Sequence, residues 1–288
     1  MIFIDCEQGT PEWHAARAGV ITASTFSDAL ATVGGLTEQQ QIYVSALQSG
    51  CSESAALEKA KYKNRPTSET VAKALRGEVI GSPSDGSEQI AIDTAIERIS
   101  GEPYGDTFQT YAMKRGSEQE AFARMRYESE RSELVEECGI VLTDDRLFGY
   151  STDGFVGKDG MIEVKTPINS LKIVRMIQTG DVSEYIHQIQ GGLWITGRLW
   201  CDFIMYVPPL KGNGNDLYVK RIFRDENFIE EMETGLLKFN KRVDEYMKTL
   251  STPFSGAGVV STAPTPVAPS AVAAKDFPVP QSAASIFA

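Results

Sequence analysis

The segment from Leu147 to Pro167, LFGYSTDGFVGKDGMIEVKTP, constrains the fold of this chain more than any other. Two apolar-rich runs flank a GKDG turn whose Asp-Gly pair suits a tight reversal, so the segment reads as a β-hairpin. On its second arm Glu163 and Lys165 are two residues apart and share one face of a strand, while Ile162 and Val164 turn toward the core. Folding the hairpin back sets Asp153 opposite that pair, to within a residue or two of register.

Hydrophobic and turn patterning extends this hairpin into a sheet, with strands expected at 104–111, 138–143, 146–156, 161–166, 200–207 and 216–224. Helical periodicity places helices at 11–18, 22–32, 37–49, 53–61, 67–76, 86–100, 114–129, 169–179, 181–196 and 225–249. Helices on both sides of a run of strands predict an α/β fold, a central mixed sheet covered by helices. The 288 residues are 42% hydrophobic, ample for such a core. Residues 251–288 hold six of the thirteen prolines and only Lys275 and Asp276 as charges, the composition of a flexible tail.

Asp153, Glu163 and Lys165 together carry the chemistry. Two carboxylates beside a lysine suit a hard cation, since magnesium prefers oxygen ligands and keeps waters for a substrate phosphate. The lysine can orient or help deprotonate an attacking water and offset charge in a phosphoryl transition state. On spacing alone the same residues fit a surface Glu–Lys pair with an unrelated loop aspartate. The four cysteines lie far apart with no CxxC pair, which argues against a zinc, iron–sulfur or disulfide framework. His14 and His187 have no metal-cluster spacing and read as structural or as supports behind the residues of a site.

The segment STDGFVGKDGMIEVKTP resembles the SPDGLVG, turn and E-x-K strand of the phage-lambda exonuclease-like viral recombinase family. Three further blocks resemble that family in order: QGTPEWHAARAGVITASTF at 8–26, KRGSEQEAFARMRYE at 114–128, and EYIHQIQGGLWITGRLWCDFIMYVPPL at 184–210. The resemblance implies a PD-(D/E)XK nuclease fold over residues 1–250. It implies Asp153 and Glu163 as ligands of Mg2+, with Mn2+ able to substitute, the Val164 carbonyl as a further ligand and Lys165 as catalytic lysine. Glu120 joins through a second metal or a bound water. Gln188 is favoured over Gln190 as the active-site amide, because it shares a helix face with Tyr185 and Gln190 does not.

Arg17 and Ser24 match family residues that grip phosphate near a 5′ end, and Tyr185 is grouped with them as a phosphate contact. Arginine suits that task because its planar fork donates two parallel hydrogen bonds; an exposed arginine and a helix-capping serine are the ordinary alternatives. Trp13 reads as a core anchor. Thr152 departs from the family, which commonly has proline before the aspartate.

Residues 36–78 read as an inserted helical module, similar in its L-T-x-x-Q opening to the helix-turn-helix of small terminase subunits. Lys59, Lys61, Lys63, Arg65 and Lys73 make it basic within a chain of net charge −11, as a duplex-contacting module requires. A packing or subunit-contact decoration explains the pattern equally well.

The expected activity is a magnesium-dependent DNA exonuclease working from duplex ends, 5′-to-3′, in a homo-oligomer that the resemblance makes a trimer, and supplying single strand to an annealing protein. A restriction-like endonuclease and a non-catalytic DNA-end-binding scaffold are the alternatives. No basic leader or long apolar span is visible, so a cytoplasmic protein without membrane contact is expected.

Overall fold

The computed structural model describes residues 1–105 and 111–253. Strand β1 (Ile2–Ile4) leads through a Thr10-capped turn into helix α1 (Pro11–Arg17), then β2 (Ile21–Thr22) and the short α2 (Phe26–Ala29). A strap of β3 (Thr32–Val33) and β4 (Ser82–Pro83) encloses helices α3 (Glu38–Gln48), α4 (Glu53–Lys59) and α5 (Glu69–Leu75). Helices α6 (Asp85–Ser100) and α7 (Tyr111–Arg131) follow. Next come β5 (Val135–Glu136), β6 (Ile140–Leu142), β7 (Phe148–Tyr150), β8 (Gly154–Val156) and β9 (Gly160–Lys165). The chain continues through α8 (Ser170–Thr179), α9 (Ile186–Thr196), β10 (Trp200–Tyr206), β11 (Leu217–Phe223) and α10 (Glu226–Leu250).

A five-stranded sheet has the order β11-β10-β9-β8-β5, and a four-stranded sheet the order β1-β6-β7-β2. β9 pairs antiparallel with β8 and parallel with β10, the α8–α9 crossover supplying the return that a parallel pair needs. Alternation along β9 then sorts the core. Met161 packs with Phe203 against Ile189 and Leu193 of α9, while Ile162 and Val164 pack against Ala123 and Tyr127 of α7. The face bearing Glu163 is therefore helix-covered as well, and Glu163 is only 1% exposed. Gly160 is the one residue that fits under Trp200, because a Cβ there would lie 2.1 Å from the indole. The turn residue in left-handed backbone is Gly157 (φ 53°), at the start of the reversal, and not the glycine of the Asp-Gly pair.

The sequence expectation of a strand at 104–111 fails where it can be compared. Tyr104 and Gly105 are irregular and Tyr111 opens α7, whose Ala, Met, Lys and Arg favour extending the helix toward its N-terminus; 106–110 lie outside the described residues. The expected strand 146–156 is two strands in different sheets, because Thr152 breaks the run: its Oγ1 accepts from Gly154 N (3.2 Å) and donates to Gly154 O (3.1 Å). β1 and β5, each of two or three residues, are too short for alternation to register.

Helices α3 to α5 share an apolar cluster of their own, built on Tyr43, Val44, Ala56, Val71 and Ala74. Four residues join α3 to α4, but nine, 60–68, separate α4 from α5, longer than the three- or four-residue turn of a helix-turn-helix. The tail expected from 251 onward lies outside the described residues after Pro253. No described helix is long and apolar enough to cross a membrane.

Candidate active site

Strand β9 fixes Glu163 and Lys165 on the face that α9 covers, and every polar atom of that pair is engaged. Glu163 Oε1 accepts from Lys165 Nζ (2.7 Å) and from Gln188 Nε2 (2.6 Å), while Oε2 accepts from the Tyr150 hydroxyl (2.7 Å). Lys165 Nζ also donates to Gln188 Oε1 (3.2 Å), closing a three-residue ring. The β8–β9 ladder ends at Gly154 opposite Ile162, and the Val164 N–H beyond it donates to Asp153 Oδ2 (2.6 Å). Asp153 thus lies one residue further along, beside Glu163.

Glu120 reaches the same cavity from α7, held at 3.7 Å from Arg124, which also donates to the Asp153 carbonyl (3.1 Å) and pairs with Glu137 (2.9 Å). Burial, then the charges of Glu163 and Glu120, push the Asp153 carboxyl well above its ordinary range. Burial raises Glu120 too, with Glu163 adding and Arg124 opposing. Burial works against the Lys165 charge, but Glu163 and Asp153 outweigh it and hold its pKa above the usual lysine value.

This donor set fits a hard divalent cation: oxygen donors only, with anionic repulsion that a cation would relieve. Val164 points its side chain into the α7 cluster, so only its backbone can serve the cavity it lines. Among the described residues no three His, Cys, Asp or Glu groups are already gathered at metal-binding spacing. Glu163 Oε1 carries two donors, which leaves Oε2, Asp153 Oδ1 and backbone oxygen as the available positions.

The opposite wall of this cavity of about 250 Å³ is cationic. Thr10 caps α1 by accepting from Trp13 N, Pro11 opens it, and Arg17 projects from its last turn. Arg17 donates to Ser151 Oγ and to Thr22 Oγ1, both at 3.2 Å, and lies 4.2 Å from the Trp13 ring centre. Ser24 Oγ is 3.2 Å from Thr22 Oγ1 and exposed. It sits inside a short 3-10 turn, so it is not a helix cap. Among the described residues Arg17 makes no ion pair, and burial pulls its pKa down to about 10.

The cavity brings Asp153, Glu163, Val164, Lys165, Glu120, Gln188, Arg17 and Ser24 together. Tyr185 is elsewhere: its ring stacks on Phe203 (centroids 5.1 Å apart) with Lys165 Nζ 5.6 Å from its centre, so it backs the lysine and leaves the Arg17 wall to others. Gln190 turns away and bridges Phe223 O and Asp225 N. Trp13 is a wall residue and not the expected core anchor, because its indole N–H has a polar partner in Ser151 (2.9 Å) and its face is covered by Arg17. His187 packs edge-on against Phe228.

Sequence reasoning missed Tyr150, Ser151, Thr22 and Arg124. Tyr150 precedes the STDG motif directly and Ser151 is its first residue; a tyrosine in an otherwise apolar run signals a hydroxyl needing a buried partner. A neighbouring hollow of about 900 Å³ shares Gln8, Trp13, Arg17, Thr22 and Glu120 with the cavity.

A family model described as "YqaJ-like viral recombinase domain" matches residues 12–199. Among solved structures, an alkaline exonuclease from Laribacter hongkongensis is 28% identical, aligning 84% of this chain with 96% of its own at a TM-score of 0.59. The same exonuclease in complex with dAMP gives 28% identity, the same coverage and a TM-score of 0.61. No curated protein matches the chain.

Proposed function

The chain belongs to the YqaJ-like viral recombinase family, and from that premise we propose that it is a DNA exonuclease of recombination, dependent on a divalent metal. The observation that carries this reading is the meeting, in one cavity, of a carboxylate–lysine cluster and a half-buried arginine flanked by hydroxyls. A phosphodiester with a terminal phosphate next to it presents anions to both.

Asp153 and Glu163 would hold the metal, with the Val164 carbonyl beside them and Glu120 joining through a second metal or a water. We take the metal to be Mg2+, replaceable by Mn2+. When bound, it would polarise the scissile phosphate and lower the pKa of the attacking water. Lys165, kept protonated by its carboxylate neighbours, places a positive charge where negative charge grows on the phosphoryl group. Gln188 fixes the lysine and Glu163 at once, so neither spends rotamer freedom on reaching its place. Arg17 and Ser24 bind the 5′ phosphate, which sets the direction as 5′-to-3′. The single strand left behind feeds an annealing protein, the working unit is a ring of three copies, and the setting is the cytoplasm of a phage-infected or bacterial cell.

The test compares wild type with Lys165→Ala on 5′-phosphorylated linear duplex and on covalently closed circles, with magnesium and with chelator. Metal-dependent shortening of linear DNA alone, reduced on the order of 10³-fold by the substitution, is the expected result. Cutting of circles would make the enzyme an endonuclease. Intact DNA throughout would leave an end-binding scaffold.

A further inference from the structure

We propose that residues 59–65, the end of α4 and the start of its connection to α5, are a second, sequence-independent contact for the phosphate backbone of duplex DNA, separate from the cleavage cavity. The inference rests on DNA being the substrate. In a chain of net charge −11, backbone affinity must come from local density of unneutralised cations. Lys59-Ala60-Lys61-Tyr62-Lys63-Asn64-Arg65 is the only seven-residue window with four cations, and it contains no acid.

Several arginines are instead neutralised by carboxylates: Arg126 by Glu130 and Asp216, Arg221 by Asp202, Arg224 by Glu226, Arg76 by Glu69 and Glu78. Among the described residues none of the three lysines makes an ion pair. Lys59 Nζ reaches Cys51 Sγ (3.3 Å), and only Arg65 faces a carboxylate, Glu53 at 3.5 Å. All four cations are exposed.

The backbone presents them rigidly. α4 ends in a paired cap, Lys61 N donating to Glu58 O (3.0 Å) and Tyr62 N to Leu57 O (2.8 Å). Tyr62 packs edge-on against Tyr43 (6.0 Å, 88°) in the module's own core, and Gln39 Nε2 holds the Lys61 carbonyl at 3.2 Å. Lys61 and Lys63 therefore flank an inward anchor. Lys61 also occupies the left-handed position (φ 53°) that glycine fills at most such caps. A lysine held there against its steric preference, where glycine would fit better, points to the charge being what is used. α4 itself exposes Glu53 and Glu58, so the contact is to phosphate and not to base edges.

The experiment measures binding of a 5′-phosphorylated duplex in chelator by fluorescence anisotropy across salt, for wild type, Lys61→Gly and a Lys59→Ala/Lys61→Gly/Lys63→Ala triple variant. Lys61→Gly relieves the backbone, so the fold survives it. The slope of log K against log salt should fall by about 0.9 for the single and about 2.7 for the triple variant, with melting temperature not lowered. Magnesium-dependent cleavage of linear DNA by wild type, run in parallel, tests the underlying reading separately. Cleavage by wild type together with an unchanged slope in the triple variant overturns the proposal alone. So does an unchanged slope with altered self-association, which would make this face a contact with a second copy.

Discussion

The two walls of the catalytic cavity are unsatisfied in opposite senses. On one side Asp153, Glu163 and Glu120 crowd their charges, and burial together with mutual repulsion drives Asp153 and Glu120 upward in pKa. On the other, half-buried Arg17 touches the hydroxyls of Ser151 and Thr22 and the Trp13 ring, and desolvation outweighs the charge of Glu97 and pulls its pKa down. Each wall carries an electrostatic cost that a buried pair would normally remove within the fold. On the proposed function, a metal would relieve the first and a phosphate the second.

Arginine replacement breaks the comparison most directly. Arg17→Ala should cost about 10- to 100-fold in preference for 5′-phosphorylated over 5′-hydroxyl ends, the worth of a charged hydrogen bond of about 1.5–3 kcal/mol. Cleavage of the hydroxyl-ended duplex should change little. Equal losses on both ends would show that Arg17 supports the fold of the wall and not the phosphate.

Tyr150→Phe sharpens the other wall. The ring stays in its slot against Gly192, where a Cβ would meet it at 2.7 Å, but Glu163 Oε2 loses its buried donor. We expect roughly a tenfold fall in kcat, from about 1–3 kcal/mol for an unsatisfied buried group, with KM for DNA steady and apparent metal affinity altered. An unchanged metal titration would reduce Tyr150 to packing.

The cation–anion pattern of the first wall was legible in the sequence because it is local. Asp153, Glu163 and Lys165 sit on one hairpin, and strand alternation fixes which face they share. Helix spacing set Gln188 apart from Gln190, and the family resemblance gave it its place at the site. The second wall is assembled from α1, β2 and the end of β7, three separate stretches, so only the family resemblance drew Arg17 and Ser24 together; Thr22 and Ser151 carried no signal of their own. Trp13 misled because an aromatic in a short amphipathic helix usually packs inward, and here an indole N–H and a neighbouring arginine keep it at the wall. The helix expected at 181–196 was not assigned to the Glu163 face for a similar reason. Alternation says that two faces differ, not that both are covered.

The smallest effect, and the one that separates metal from fold, is in stability against pH without metal. Asp153 and Glu120 have folded-state pKa values raised above their ordinary 3.8 and 4.5. The native state therefore retains protons that the unfolded chain has released. The stability this contributes is complete below those ordinary values and is lost as pH rises through the raised ones. A divalent cation binds the deprotonated native site and displaces those protons, so the melting-temperature gain on adding magnesium should grow as pH rises above those ordinary values. Asp153→Asn removes one of the repelling charges; its metal-free form should melt a few degrees above wild type at neutral pH and respond less to magnesium. A magnesium increment independent of pH, or an Asn variant that melts lower, would mean that the carboxylates are reconciled by their own hydrogen bonds and that the wall does not wait for a metal.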